Sequence, residues 1–182
     1  ALKYSHNNEG TWGDFTLVPE NYSEIPIDDA KKYILEFGYK TDGLEANTPN
    51  SWRGLTFLIR FRNDSVIMSG LNAEDIITDI QGGVETQLVT NSDNSLIWLR
   101  FDRRPTDWVD LIAKINPPDG ATKMTFKVSN DNFGIRGNLE IDKIILKEDL
   151  HDLILEKNPS VAGTVTGSGS YLEGTEVNVT AE

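Results

Sequence analysis

Cysteine is absent from the 182 residues, which excludes a disulfide framework, a thiolate metal site and a cysteine nucleophile. Extracellular bacterial and virion proteins commonly lack disulfides, so this absence does not point to the cytosol. Histidine is scarce as well, and His6 and His151 show no spacing typical of metal ligands. No apolar run approaches the length that spans a bilayer, so no membrane insertion is expected.

Basic residues are also few. The chain has 17 Lys and Arg against 29 Asp and Glu, a formal net charge of −12. Nucleic acids and anionic membranes attract proteins through Lys and Arg, so neither is an expected partner. The 38% hydrophobic and 9% aromatic fractions suffice for a packed core. The start at Ala1, with neither a signal peptide nor an initiator Met, predicts a mature or excised segment.

The motifs of common hydrolases are missing. The sequence contains no HExxH and no GxSxG, and its GTVTGSG run (163–169) lacks the Lys and the strand–loop–helix context of a phosphate-binding loop. A glycosidase would need two carboxyl groups flanking one bond in a cleft, and sequence spacing alone cannot establish such a pair. The chain is therefore predicted not to be an enzyme by itself, with a glycosidase as the open alternative.

Short β-rich segments separated by turn residues dominate the chain. In 122–130, Met124, Phe126 and Val128 alternate with polar residues, and in 139–146 Leu139, Ile141 and Ile145 are predicted to share one face, opposite Ile144. Helical patterns are short, around 72–79 and 149–155. The strand segments are 31–40, 53–63, 84–91, 94–103, 108–115, 122–130 and 138–148, with turns predicted at TDG (41–43), GG (82–83), NSDNS (91–95) and NPPDG (116–120). This pattern predicts an all-β fold, an antiparallel β-sandwich or jelly roll.

The composition changes near HDLILEKNPSVAG, 151–163, where Gly-rich turns replace long charged strands. We predict a first domain over 1–150, a linker over 151–158 and a small β module over 159–182. Within the module, alternation predicts two short strands near 164–166 and 177–179.

Two tryptophans favour a ligand-binding surface. Proteins hold sugar rings on exposed aromatic platforms with polar or charged residues at the rim. Trp52 and Arg53 enter a strand from a polar loop, and Trp98 is separated from Arg100 by one residue. If Ile97, Leu99 and Phe101 form the core face, Trp98 and Arg100 are exposed together on the other face. The alternative is that Trp98 belongs to the core.

Residues 106–149 resemble the C-terminal half of carbohydrate-binding modules of the family four and nine kind, which have a galactose-binding-like jelly roll. The matching core positions are Trp108, Pro118, Gly120, Asp142 and Leu146, and looser matches extend over most of 1–149. The resemblance implies that Trp108 is a packing residue rather than a ligand-binding one. It also implies one structural Ca²⁺, for which Asn8, Glu9 and Asp142 could supply oxygen ligands.

The segment NPSVAGTVTGSGSYLEGTEVNVTAE, 158–182, resembles the first part of a divergent internalin-type B repeat, a small β module found in arrays on bacterial extracellular proteins. The match runs from Gly163 to Gly169 and continues at Tyr171, Gly174, Thr175, Val177, Val179 and Thr180. The resemblance implies a spacer or interaction element next to further domains of a longer chain or assembly.

These observations favour a non-catalytic glycan-binding module of a secreted or surface-attached bacterial protein. Its expected ligand is a polysaccharide or cell-wall glycan, bound by Trp52, Arg53, Trp98 and Arg100. The alternative is a structural or interaction module of a bacteriophage tail, a virion or an adhesin stalk, with no sugar site. The same fold serves both purposes, so the choice depends on the site.

Overall fold

The computed structural model describes residues 2–6, 16–17, 24–46, 55–83, 86–101, 105–129, 135–156, 163–172 and 174–181. Their regular secondary structure is almost entirely β-strand, with one short helix, which confirms the all-β prediction. The elements in chain order are β1 (Leu2–His6), β2 (Thr16–Leu17), β3 (Ile25–Pro26), β4 (Tyr33–Ala46), β5 (Leu55–Asn63), β6 (Val66–Ile67), α1 (Ala73–Ile76), β7 (Ile77–Gly82), β8 (Gln87–Thr90), β9 (Ile97–Phe101), β10 (Val109–Ile115), β11 (Lys123–Ser129), β12 (Ile135–Glu148), β13 (Leu150–Leu153), β14 (Val165–Thr166), β15 (Gly169–Leu172) and β16 (Thr180–Ala181).

The chain divides into two compact units, Ala1–Lys147 and Glu148–Glu182. The first unit is an antiparallel sandwich of two sheets, as the strand pattern predicts. The five-stranded sheet, called sheet I below, has the order β1-β12-β4-β10-β7. The seven-stranded sheet, sheet II, has the order β2-β11-β5-β9-β8, with β3 beside β11 and β6 beside β5.

An aromatic cluster joins the two sheets at the centre of the sandwich. Phe37 of β4 meets Phe57 of β5 edge-on with ring centroids 4.8 Å apart, and lies 5.2 Å from Phe101 of β9. Tyr39 of β4 contacts Phe101 at 5.0 Å. All four side chains are fully buried. Alternation of apolar residues along each strand places one face of each sheet in this core, so the opposite faces are the surfaces on which a ligand could bind.

The long strand β12 departs from its predicted phase. Leu139 and Ile141 are buried as expected, but further along it is Ile144 and Leu146 that pack against the core, while Ile145 is 40% exposed. The inward positions therefore shift by one residue between Ile141 and Ile144, as one extra residue in a β-bulge would cause. The prediction that Ile145 shares a face with Ile141 was wrong.

Two other local predictions were wrong in part. The TDG sequence, predicted as a turn, lies inside β4, where Gly43 takes a φ of +59° that glycine adopts without strain. The helical pattern at 72–79 gives only the single turn α1, which Asn72 caps by accepting a hydrogen bond from the Glu74 amide. The β-branched residues Ile77 and Thr78 then continue as β7.

The second unit consists of two small two-stranded sheets, β13 with β15 and β14 with β16. Residues 150–153, within a predicted helical pattern, form strand β13, because their pairing with Gly169–Leu172 overrides local propensity. The linker predicted over 151–158 thus begins inside a strand of this unit. Of the two strands predicted in the small β module, the first is present as β14. The second, predicted near 177–179, lies at Thr180–Ala181 as β16. Among the described residues, no helix is long and apolar enough to cross a membrane.

Candidate functional site

Trp98 lies on the outer face of sheet II. In β9, Ile97, Leu99 and Phe101 are fully buried, while Trp98 and Arg100 between them are only partly covered. The strand therefore has the phase that the sequence predicts, because three apolar side chains at every second position fill the core. The guanidinium carbon of Arg100 lies 5.1 Å from the centre of the Trp98 ring, in cation–π contact.

The turn before β9 sets the register that positions Trp98. The side-chain oxygen of Asn91 accepts hydrogen bonds from the amides of Ser95, at 2.8 Å, and Leu96, at 2.9 Å. Asn94 takes a positive φ of 51°, which asparagine tolerates better than most residues. These contacts close the β8–β9 hairpin, so that Val89 lies directly opposite Trp98.

The neighbouring strands extend the outer face of sheet II around Trp98, with Thr56, Leu58 and Ser129 of that face buried. Leu58 of β5 pairs with Trp98, and Lys127 of β11 pairs with Leu58, so one row crosses the strands from β8 to β11. We call the outward residues of these strands the basic face. It comprises Thr56, Leu58, Arg60, Arg62, Gln87, Val89, Trp98, Arg100, Lys123, Thr125, Lys127 and Ser129.

The basic face has charge of one sign. Five of its twelve residues are Arg or Lys and none is Asp or Glu, although the chain carries a net charge of −12. Glu24, next to β3, is an acidic residue of the described chain that contacts it. Its carboxylate lies 2.6 Å from the Lys123 ammonium and 3.2 Å from Arg62 Nε. The hydrogen bond from Lys123, with the charges of Lys123 and Arg62, holds the pKa of Glu24 below its ordinary value despite partial desolvation.

Besides Arg62 and Arg100, whose side chains have other contacts, three residues of the basic face have a buried donor that makes no hydrogen bond within the described part of the chain. The donors are the Thr56 hydroxyl, Arg60 Nε and Trp98 Nε1, on the adjacent strands β5 and β9. Each can donate a hydrogen bond. Leaving a buried donor without an acceptor costs about 1–3 kcal/mol, and folded proteins contain few such groups. Arg60 and Trp98 are partly exposed side chains, so an acceptor brought by a ligand can reach them after small rotations.

A shallow hollow adjoins the basic face beyond Trp98. It has a volume of about 320 Å³ and is lined by polar and apolar residues that include Val89, Thr90, Asn94 and Asn72. Because Val89 belongs to both surfaces, the basic face continues into this hollow at the β8 edge of sheet II. A chain-like ligand lying across Trp98 would therefore have room to extend in this direction.

Trp108 is the tryptophan that sequence reasoning misjudged. The resemblance implied a packing residue, but the Trp108 side chain is 47% exposed. It precedes β10, whose Val109 pairs with Tyr39, and the ammonium of Lys40 lies 5.1 Å from its ring centre. Alternation explains the error, since inward positions at Val109 and Leu111 place the even-numbered Trp108 on the outer face.

A pocket of about 150 Å³ shares Lys40 with the Trp108 contact. It is lined by Lys40, Thr41, Asp42, Thr106, Asn138 and Glu140. Its polar groups bond with one another: the Lys40 ammonium lies 3.3 Å from the Glu140 carboxylate, and Asn138 donates to Asp42 at 3.4 Å. The polar groups of this pocket therefore bond largely with one another, which the three unpartnered donors of the basic face do not.

Of the predicted site residues other than Trp98 and Arg100, the described part of the chain includes Asp142 alone. Trp52 and Arg53, like Asn8 and Glu9, lie outside the described residues. Asp142 is exposed on β12 of sheet I. The described parts of the chain contain no group of three or more His, Asp or Glu that could hold a metal ion. Asp142 is the one predicted calcium ligand among the described residues, and the calcium site stays a prediction.

Sequence reasoning also missed the cations of β5 and β11. Arg60 and Arg62 alternate with buried Ile59 and Phe61, and Lys127 follows the same alternation on β11. The signal was present as basic residues at every second position. Its meaning depended on knowing that β11, β5 and β9 are adjacent, which is a matter of long-range pairing.

Comparison with known proteins gives no relative of this chain. No protein-family model matches the sequence, and no curated protein or solved structure is significantly similar to it.

Proposed function

We propose that this chain is a non-catalytic glycan-binding module whose ligand lies on the basic face around Trp98. The observation that carries the proposal is the partly exposed Trp98 ring, paired with Leu58 two residues from Arg60. Trp98 and Arg60 each have a buried N–H donor with no acceptor among the described residues. Sugar rings offer apolar C–H faces that pack on an indole ring, and oxygen atoms that accept hydrogen bonds. A glycan would supply both kinds of contact.

Several further features support this proposal. The core pattern resembles that of carbohydrate-binding modules, for which an extracellular or cell-surface location, or a virion, is expected. One structural Ca²⁺ held in part by Asp142 belongs to the same proposal.

We propose that the second unit is a spacer or interaction element that packs against neighbouring domains of a longer chain or assembly. Its resemblance to an internalin-type B repeat supports this role. So do three large apolar side chains that it leaves exposed: Leu150 at 46%, Ile154 at 77% and Val179 at 50%. Exposed apolar side chains in so small a unit are typical of surfaces that a neighbour covers.

Binding to a glycan panel tests the main proposal. The full chain is titrated with soluble bacterial and plant polysaccharides while tryptophan fluorescence and heat are recorded. We expect saturable binding to at least one polysaccharide, and Trp98→Ala should weaken it at least tenfold. Trp108→Ala is the matched control, because it removes an equal indole from sheet I and should leave the affinity unchanged.

Each result is informative. Loss of binding in Trp108→Ala with retention in Trp98→Ala would move the site to the pocket of Lys40 and Glu140. A folded protein that binds no member of a broad panel would overturn the proposal and leave the structural or interaction module. Release of reducing sugar from a bound polysaccharide would contradict the non-catalytic assignment.

A further inference from the structure

We propose that the basic face selects anionic glycans, those carrying carboxylate, sulfate or phosphate groups, over neutral ones. This inference rests on the proposed function and specifies the ligand of the same site. It follows from the distribution of charge. Removing the five positive charges of the face from the formal total of −12 leaves −17 on the rest of the chain, where the other 12 Lys and Arg are outnumbered by 29 Asp and Glu. The described strands of the face, by contrast, carry five cations and no acid.

The cations form a band across three adjacent strands. Arg100 lies on β9, Arg60 and Arg62 on β5, and Lys123 and Lys127 on β11. Neighbouring strands are about 4.8 Å apart, so the band spans about 10 Å between its outer strands. Trp98 lies within it, paired with Leu58. The arrangement places an aromatic platform inside a positive field, which suits a sugar ring that bears an anionic substituent.

Glu24 demonstrates how the face accommodates a carboxylate. Its two oxygens contact a cation of β11 and a cation of β5, Lys123 at 2.6 Å and Arg62 at 3.2 Å. This is a bridging, charge-assisted contact made by an anion of the chain itself. The other cations of the band, with the unpartnered Nε of Arg60, extend the same chemistry toward Trp98. A ligand carboxylate or sulfate near Trp98 would repeat the contact that Glu24 makes at the end of the face.

An anionic glycan fits this surface better than a nucleic acid does. A nucleic acid carries a phosphate at every nucleotide, and the rest of the chain, with a formal charge of −17 (−12 minus +5), repels such a polyanion. A glycan also presents C–H faces that pack on indole. The net charge that argued against nucleic acids and anionic membranes therefore does not exclude an anionic glycan on this face.

The test compares polymers that differ in charge but share a backbone. Polygalacturonate is compared with its fully methyl-esterified form, and dextran sulfate with dextran, by calorimetry of the full chain at low and moderate salt. A poly(glycerol phosphate) polymer provides the phosphate arm, and oligo(dT) the nucleic-acid arm. We expect at least one anionic polymer to bind at least tenfold more tightly than its neutral counterpart, with affinity falling as salt rises.

Variants locate the effect on the basic face. Arg60→Gln and Lys127→Gln should each weaken binding of the anionic polymer about tenfold. Glu24→Gln should strengthen it about threefold, because it removes the competing carboxylate while keeping the side-chain shape. Lys143→Gln, which removes a cation from the outer face of sheet I, is the matched control and should change nothing. Circular dichroism and thermal unfolding confirm that each variant is folded.

The outcomes separate this inference from the proposed function. Equal binding of neutral and anionic polymers, still lost in Trp98→Ala, would overturn charge selection and keep the glycan-binding module. Absence of binding to every polymer would overturn both. Tighter binding of oligo(dT) than of any glycan would overturn the inference in favour of a nucleic-acid ligand.

Discussion

The outer faces of the two sheets carry their charges in opposite ways. On sheet I, the Lys143 ammonium lies 3.3 Å from Asp110 and 3.9 Å from Glu36, and Lys147 lies 2.5 Å from Glu36. Each of these cations has an anion of the chain beside it. On the basic face of sheet II, described Asp and Glu side chains are absent from the strands, and Glu24 contacts the cations only at one end. The comparison contrasts a face on which Lys143 and Lys147 pair with acids of neighbouring strands with a face whose described strands carry cations and no acid.

The largest expected effect comes from the core that holds both faces in place. Phe37→Ala removes the ring that contacts Phe57 and Phe101 across the sandwich. We expect a loss of about 3–5 kcal/mol in the free energy of unfolding, measured by urea denaturation. Ile112→Ala, a partly exposed position on the outer face of sheet I, is the control. A loss below about 1 kcal/mol for Phe37→Ala would contradict the single shared core.

Charge reversal should have opposite consequences on the two faces. Lys127→Glu should weaken anionic-polymer binding more than tenfold and change the free energy of unfolding by less than about 0.5 kcal/mol. Lys143→Glu should leave binding unchanged and destabilise the fold by about 1 kcal/mol, because it places a third carboxylate beside Asp110 and Glu36. If both variants behaved alike in calorimetry and urea denaturation, the contrast between the faces would be lost.

The pH dependence of stability sharpens the role of Glu24. Its pKa is lowered in the folded protein, mainly by the hydrogen bond from Lys123. A lowered carboxyl pKa stabilises the folded state above the pKa of the unfolded chain, and this contribution is lost as the pH falls through the folded value. Thermal unfolding of the wild type and of Glu24→Gln should therefore differ near neutrality and converge in acid. A difference that persists or grows in acid would contradict this account.

The smallest and most local prediction concerns Ca²⁺ and sheet I. If Asp142 helps to hold a structural ion, Ca²⁺ added to EDTA-treated protein should raise the melting temperature, and Asp142→Asn should reduce the increase. Asp107→Asn is a suitable control, since Asp107 is also exposed. A melting temperature indifferent to Ca²⁺ would remove the ion from the proposal and leave the basic face unaffected.

The amino-acid sequence is informative where alternation is strict. Ile97, Leu99 and Phe101 are apolar at every second position, so alternation alone predicts that Trp98 lies on the outer face. The sequence is misleading where the alternation changes phase. The inward positions shift by one residue between Ile141 and Ile144, and the consecutive apolar residues that follow do not show which of them face inward. Strand β13 is not predicted because it forms by pairing with β15, a separate segment of the chain. Gly169, the partner of Leu153, lies 16 residues further along.

The basic face itself illustrates a different limit. Each of its cations is visible in the sequence as a basic residue between apolar ones, but their assembly depends on β9, β5 and β11 being neighbours. Nothing local to Lys127 indicates that Leu58 and Trp98 lie in the same row. Trp108 shows the converse, since the family pattern suggested burial and the strand phase placed the ring outside. Pairing between distant strands therefore decided the site, while local pattern decided the fold.

Through the contact between Glu24 and Lys123, binding of the proposed anionic ligand would be coupled to proton uptake by Glu24. A ligand anion that takes Lys123 from Glu24 removes the hydrogen bond that keeps the Glu24 pKa low, so the pKa rises toward its ordinary value. In mildly acidic solution the displaced carboxylate then takes up a proton as the ligand binds. The heat of binding consequently depends on the ionisation enthalpy of the buffer, and affinity for an anion that reaches Lys123 increases as the solution becomes more acidic.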